Sequence, residues 1–454
     1  MRHNLALVLV VAAALFAAGS PCFGAFWDIE PVYSEGFASG DTSLALGPGS
    51  IPSISYTANG TLYLATKTEL GWAAQSVASV GFWGGFASAR FNSVGQACIA
   101  FIDATAVPAN RLNYAYRTSS AWTIETVETD LGWQPEFVSL DFTPSGQACI
   151  AYCKTVGAVA YLCFARRTGV NTWVRQQIAQ IGSITGPSLA IDASGRSYVS
   201  FAESASGRLK VASAAAGGAW TVEDVDGGSA APAVWYSWIM LQPDGDPAVA
   251  YFIASGEAVL LKCACRAQSG WTSETAATLA AGAACYCSLT VTAQGIPLIC
   301  YNDPATRSFR NAWKAGGGWF TETIDDGPQT GVRPCSRLDA IGNVQASYFD
   351  SRNASIKYAW ALTPVSLADA RSMPDGQTVQ MSGVVASTAS ADLASALYVQ
   401  QWDRSAGMKL QFTGQTPVVA RGTVLDVQGQ LSTADGERVI ADPVLSQPWL
   451  LQAR

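Results

Sequence analysis

Apolar and polar positions alternate along most of this chain, in short runs that stop at Gly, Asp, Asn or Ser and then begin again. In the stretch opening at Ser188, Ser188-Leu-Ala-Ile191 is followed by the turn sequence Asp192-Ala-Ser-Gly195. The run from Arg196 to Phe201 comes next, then a turn at Gly207, then runs from Arg208 to Ser213 and from Trp220 to Val225. Alternation with period two, bounded by turn residues, predicts strands rather than helices. Four strands are thus expected in about 50 residues, the size of one propeller blade.

The same phrase recurs along the chain: Ser-Leu, five residues, Gly, a strand ending in an aromatic, a further strand, then Gly-x-Trp-Thr-x-Glu-Thr-Val. Its tryptophans are Trp27, Trp72, Trp122, Trp173, Trp220, Trp271 and Trp319, and its strand-ending aromatics are Tyr56, Phe101, Tyr152, Phe201, Tyr251, Tyr301 and Tyr348. Both series keep intervals of 45–51 residues. The last unit, from Cys335 to Ala361, lacks the Trp-containing strand, while Trp27-Asp-Ile-Glu-Pro-Val32 supplies one at the other end. The expected fold is therefore all-β: a seven-bladed β-propeller closed by the N-terminal strand, with no open sheet edge. The repeat tryptophans are expected to fill the wedges between blades, and the repeat glutamates Glu125, Glu223, Glu274 and Glu322 to face solvent.

On the units from Ser188 to Val225 and from Cys287 to Ile324, residues 26–362 resemble the repeats of secreted bacterial β-propeller proteins of the sialidase superfamily. The resemblance implies the fold. Sialidase Asp-boxes read Ser-x-Asp-x-Gly-x-Thr-Trp, and no unit contains that string; no arginine triad is assignable either. Beyond Leu362 the period ends. The phrases Gly383-Val-Val, Leu397-Tyr-Val-Gln, Gly407-Met-Lys-Leu and Val424-Leu-Asp-Val-Gln-Gly429 are similar to a small OB-fold barrel, so residues 363–454 are expected to form a five-stranded OB-like module.

Arg2 and the apolar run from Leu5 to Ala18 look like a signal peptide spanning residues 1–25, too short for a membrane span. The mature protein is expected outside the cytoplasm, secreted or held in the periplasm or cell envelope. The full chain's net charge of −7 disfavours nucleic acid and anionic lipid. The one histidine, His3, lies in the leader, which removes imidazole-based triads and His-ligated metals and weighs against an enzyme. No cofactor or metal is implied, and the chain is read as a monomer.

Candidate ligand contacts are the aromatics between the fourth strand of one blade and the first of the next: Trp83, Trp133, Trp235, Tyr236 and Tyr286. Asp103, Glu203, Asp303 and Asp350, each directly after a second strand, belong on the same face. Aromatic faces stack on sugar CH surfaces and carboxylates accept from hydroxyls, so the mixture suits a glycan or an extracellular protein. Paired carboxylates would alternatively serve a glycoside hydrolase. A structural envelope or matrix protein is the third reading. Among ten cysteines after the leader, Cys153 with Cys163 and Cys287 with Cys300 are candidate disulfides across hairpins. Cys98 and Cys149 are expected as buried apolar residues, and a zinc site from Cys263, Cys265, Cys285 and Cys287 is disfavoured because the strands belong to different blades.

Overall fold

The computed structural model describes residues 27–446 except for 36–37, 83, 106–109, 119–120, 133–136, 183–185, 204–205, 227–233, 281–284, 316, 341, 362–364 and 415. The expected leader lies outside the described residues. Two compact units are present, one over Ile29–Ala359 and the other mainly over Trp360–Arg454.

The first unit is a propeller of seven four-stranded sheets. Its innermost strands are Ala38–Leu46, Ala87–Phe91, Val138–Phe142, Ser188–Ile191, Val234–Leu241, Cys287–Val291 and Val332–Leu338, which define blades 1 to 7. Blade 7 is completed by the N-terminal strand Trp27–Tyr33, hydrogen-bonded beside Ser355–Ala361, so the ring closes as expected. The repeated Gly of the motif has a local cause. In blade 4 the Asp192 carboxylate accepts from the backbone N–H of Ser194 and Arg196, each at 2.9 Å, and Gly195 takes φ +83° to complete the turn. Such an Asx turn needs a residue without a Cβ at that point.

The repeated Ser has a different one. Ser43, Ser88, Ser139, Ser188 and Ser288 each accept from a backbone N–H on the innermost strand of the next blade. The donors are Ala89, Leu140, Leu189, Ile239 and Ser336, at 2.8–3.1 Å. Innermost strands have a free ladder edge toward the axis, and these hydroxyls satisfy part of it blade by blade. Apolar side chains fill the seams outside this ring. Between blades 2 and 3, Ile102, Leu112 and Tyr114 pack with Leu140, Ile150 and Tyr152.

At the outer ends of the seams the repeat tryptophans do more than fill space, and the expectation that the glutamates face solvent is corrected for Glu125. The indole N–H donates to the glutamate of the preceding blade: Trp72 to Glu30 at 2.8 Å, Trp173 to Glu125 at 3.1 Å and Trp319 to Glu274 at 3.0 Å. A cation from the third strand meets the same carboxylate, giving Lys67–Glu30, Arg167–Glu125 at 2.6 Å and Lys314–Glu274 at 2.7 Å. Arg266 lies 3.5 Å from Glu223, and Asn311 donates to Glu322 at 3.2 Å. Glu125 is wholly buried and Glu274 half-exposed, but each is engaged as a latch to a neighbouring side chain. The strand-ending tyrosines form a second latch: Tyr152 donates to Glu128 at 3.2 Å and Tyr348 to Asp325 at 2.7 Å, both acids on the preceding outer strand.

The second unit is a closed barrel of Thr378–Ala386, Ala396–Gln400, Gly407–Gln411, Val424–Ala434 and Glu437–Ser446. Taking these as strands one to five, the barrel order is 1-2-3-5-4, and the third and fifth strands run parallel. This is the OB-like arrangement expected. Leu397, Leu410, Val427 and Ile440 fill it, and Leu367 of the short helix Leu367–Ser372 joins the same core. Among the described residues no helix is long and apolar enough to cross a membrane.

Candidate functional site

The four acids after the second strands are engaged locally. Each is used within its own hairpin. Asp103 accepts from Thr105 N–H at 2.9 Å, and Glu203 pairs with Lys210 at 3.0 Å. Asp303 accepts from Ala305 N–H at 2.9 Å and pairs with Arg310 at 3.3 Å. Asp350 accepts from Arg352 N–H at 3.1 Å and pairs with Lys357 at 2.9 Å. Burial opposes ionisation of Asp350, but Lys357 and Asn353 hold its carboxyl below the usual aspartate range. These carboxylates act as turn caps and ion-pair partners. Such groups are poorly suited to carry a proton to a substrate.

The aromatics behave differently. Tyr236 and Tyr286 stand edge to face, 5.5 Å between ring centroids. Tyr236 also meets Phe137 at 5.7 Å, and Phe137 lies 5.8 Å from Phe86. The guanidinium of Arg333 lies 4.8 Å from the ring centre of Phe86, 4.9 Å from Phe137 and 5.5 Å from Tyr286. Cations at this distance from aromatic faces are attracted by the ring quadrupole. Trp83 and Trp133 lie outside the described residues, as does the side chain of Trp235.

Phe86, Phe137, Tyr236, Tyr286 and Arg333 share one structural column. The position two before the inner-ring Ser, or its equivalent, holds Asp41, Phe86, Phe137, Gly186, Tyr236, Tyr286 and Arg333 in blades 1 to 7. The column lies where each innermost strand begins, at one mouth of the axial channel. Gly186 makes room: a Cβ there would stand 3.1 Å from the Tyr236 ring and 3.3 Å from that of Phe137. Phe137 and Arg333 hold φ +62° and +48°, left-handed values that bulky residues rarely adopt. Irregular pairing between Val234 and Ser237 and between Val332 and Cys335 re-aims Tyr236 and Arg333 at the axis. The six side-chain-bearing residues are half-buried, so the ring is partly open to solvent.

The cavity that Asp41, Phe137, Tyr236 and Arg333 line together with Arg90 holds about 40 Å³, room for a few waters and none for a sugar. Arg90, Asp141 and Arg337 belong to the deeper layer. Burial, then the like charge of Arg337, push the Arg90 guanidinium down to about 10, while desolvation raises the Asp141 carboxyl. Any ligand of the ring therefore rests on it from outside.

Neither disulfide candidate is brought together. Cys153 stands opposite Leu162 and Cys163 opposite Tyr152, because the hairpin is centred between Gly157 and Ala158. Likewise Cys287 faces Tyr301, and Cys300 faces Ser288. One residue of offset sends the two side chains to opposite faces of the sheet. Cys98 and Cys149 are fully buried, as expected of apolar residues. Cys263, Cys285 and Cys287 do share the seam between blades 5 and 6, with Cys265 packed against them. Burial pushes the thiols of Cys285, to about 11, and Cys287 up, away from the metal-binding thiolate.

No protein-family model and no curated protein sequence matches the chain. Among solved structures it is similar to a polysaccharide lyase of family 25, an ulvan lyase. The two share 10% identity over 73% of this chain and 95% of the lyase, with a TM-score of 0.52. A streptogramin B lyase covers 74% of this chain at 12% identity, over 98% of its own length, with a TM-score of 0.48. The fucose-specific lectin from Aleuria aurantia covers 66% at 12% identity, over 98% of its own length, with a TM-score of 0.42. At these identities the likeness is one of propeller fold, which lyases, lectins and sialidases share.

Proposed function

We propose that this is an exported, non-catalytic recognition protein whose propeller binds a glycan across the axial ring of Phe86, Phe137, Tyr236, Tyr286 and Arg333. The observation that carries the proposal is that ring: at one shared position four of the seven blades present half-buried aromatics, and a fifth presents the guanidinium of Arg333. Left-handed backbone at two of its members is strain of the kind that collects at functional sites. Aromatic faces offer stacking to sugar CH groups, and the arginine and tyrosine hydroxyls offer hydrogen bonds to sugar oxygens. Export rests on Arg2 and the apolar run from Leu5 to Ala18.

A glycan and polysaccharide array tests the proposal, with wild type beside a Tyr236→Ala, Tyr286→Ala pair and a Trp83→Ala, Trp133→Ala, Trp235→Ala triple. Selective binding lost in folded variants is the expected result. A structural role is the second reading, because the same aromatics pack on one another and narrow the axis. No binding by the wild type, with stability lost in the tyrosine pair, would establish a plug instead.

A further inference from the structure

The outer latches obey a charge rule with one exception. Where the third strand carries a cation, the preceding blade supplies a glutamate, as in Lys67–Glu30, Arg167–Glu125, Arg266–Glu223 and Lys314–Glu274. Blade 4 has Ala214 at the cation's position, and there the uncharged Gln176 suffices as acceptor for Trp220. Between blades 1 and 2 the cation is present as Arg117, opposite Trp122 in register, but the glutamate's position is Gln75. Among the described residues nothing accepts from the Arg117 guanidinium; its carbonyl alone is used, by Gln96. The buried indole nitrogen of Trp122 is likewise without an acceptor.

A cleft of about 270 Å³ opens in that seam. Arg117 lines it, with Phe91, Leu64, Ile51 and Pro48 as apolar wall and the Ser53 and Thr66 hydroxyls beside them. Blade 1 makes this space by replacing the tight Asx turn with the single turn Pro48–Ser50. Trp122 packs in the same cluster as Leu64 and Phe91. A guanidinium that no carboxylate meets, beside a mainly apolar cleft, can attract an anion even on a chain of net charge −7.

We propose that this seam binds a small molecule bearing a carboxylate. The carboxylate pairs with Arg117, as the glutamate does in other seams, while the body of the molecule lies on Phe91 and Leu64. The cleft suits something the size of one sugar ring or a short organic acid, below the usual range for drug-sized ligands. It lies on the face opposite the axial ring and does not depend on it.

Gln75→Glu tests the proposal from inside the protein, because it restores the latch that other seams possess. Thermal unfolding and calorimetric titration would use glucuronate, hexanoate and benzoate, each against its neutral counterpart (glucose, hexanamide, benzamide). The carboxylates should raise the Tm of the wild type and the neutral compounds should not. Gln75→Glu should raise the Tm by about 1–3 °C without ligand and weaken carboxylate binding at least tenfold. Arg117→Met should weaken it comparably. Response to glucuronate alone would assign a uronic-acid sugar, and response to hexanoate or benzoate an organic acid. Absence of any carboxylate effect, or an equal effect on wild type and Gln75→Glu, overturns the site.

Discussion

Glu125 shows how much one repeat position can hold. Its carboxylate is buried, accepts from Arg167 twice, at 2.6 and 2.9 Å, and from the Trp173 indole at 3.1 Å. Burial works against its ionisation, yet Arg167 and the other donors hold its carboxyl below the ordinary glutamate value of 4.5. A carboxylate depressed on folding stabilises the native state above its unfolded pKa, and that contribution disappears as pH falls through the lower folded value. Glu125→Gln should cost about 2–3 kcal/mol at pH 7, less than a fully buried pair because Arg167 is a quarter exposed. The loss should shrink below pH 4.5, flattening the acid limb of Tm against pH. Equal losses at pH 7 and pH 3.5, by thermal denaturation, would contradict this account.

At the scale of the strand, the innermost edges do two separate jobs two residues apart: the serine column ties blades together, and the column before it builds the axial ring. Gly186→Ala separates these jobs. The added Cβ presses on Tyr236 and Phe137 but leaves Ser188 and its bond to Ile239 N–H intact. Ligand binding on the array should fall while unfolding moves by about 1–2 kcal/mol. A variant that keeps full binding would place the ligand away from the ring. The strand pattern, the blade count and the closing strand could all be read from Trp and Ser-Leu spacing, because the same side chain recurs seven or nearly seven times. The ring column could not, since its members are Asp, Phe, Phe, Gly, Tyr, Tyr and Arg and share position without sharing chemistry. Aligning the column two before each Ser would have exposed it. Glu125 is buried rather than solvent-facing, and the sequence hides this because its partners Arg167 and Trp173 lie in the next blade. The cysteine pairs failed on register, which half a residue in the hairpin centre decides.

At the scale of the molecule, the propeller depends on a strand borrowed from its far end. Deleting Trp27–Tyr33 would leave blade 7 with three strands and strip the Glu30 latch from Lys67 and Trp72. The shortened protein should unfold at least 10 °C lower and associate through the exposed edge of Ser355–Ala361, as scattering and calorimetry would register. Unchanged melting would mean that the ring closes without the borrowed strand.

The same borrowed strand sets a clock on biogenesis. Trp27–Tyr33 is synthesised roughly 330 residues before its partner Ser355–Ala361. At about 5–20 residues per second, that is an interval on the order of 15 to 65 seconds. Throughout it this strand, in which Trp27, Ile29, Val32 and Tyr33 are mixed with Asp28 and Glu30, has no ladder partner. Blades 1 to 6 can stack in order as they are made, but the circle is sealed by an early strand meeting one made much later.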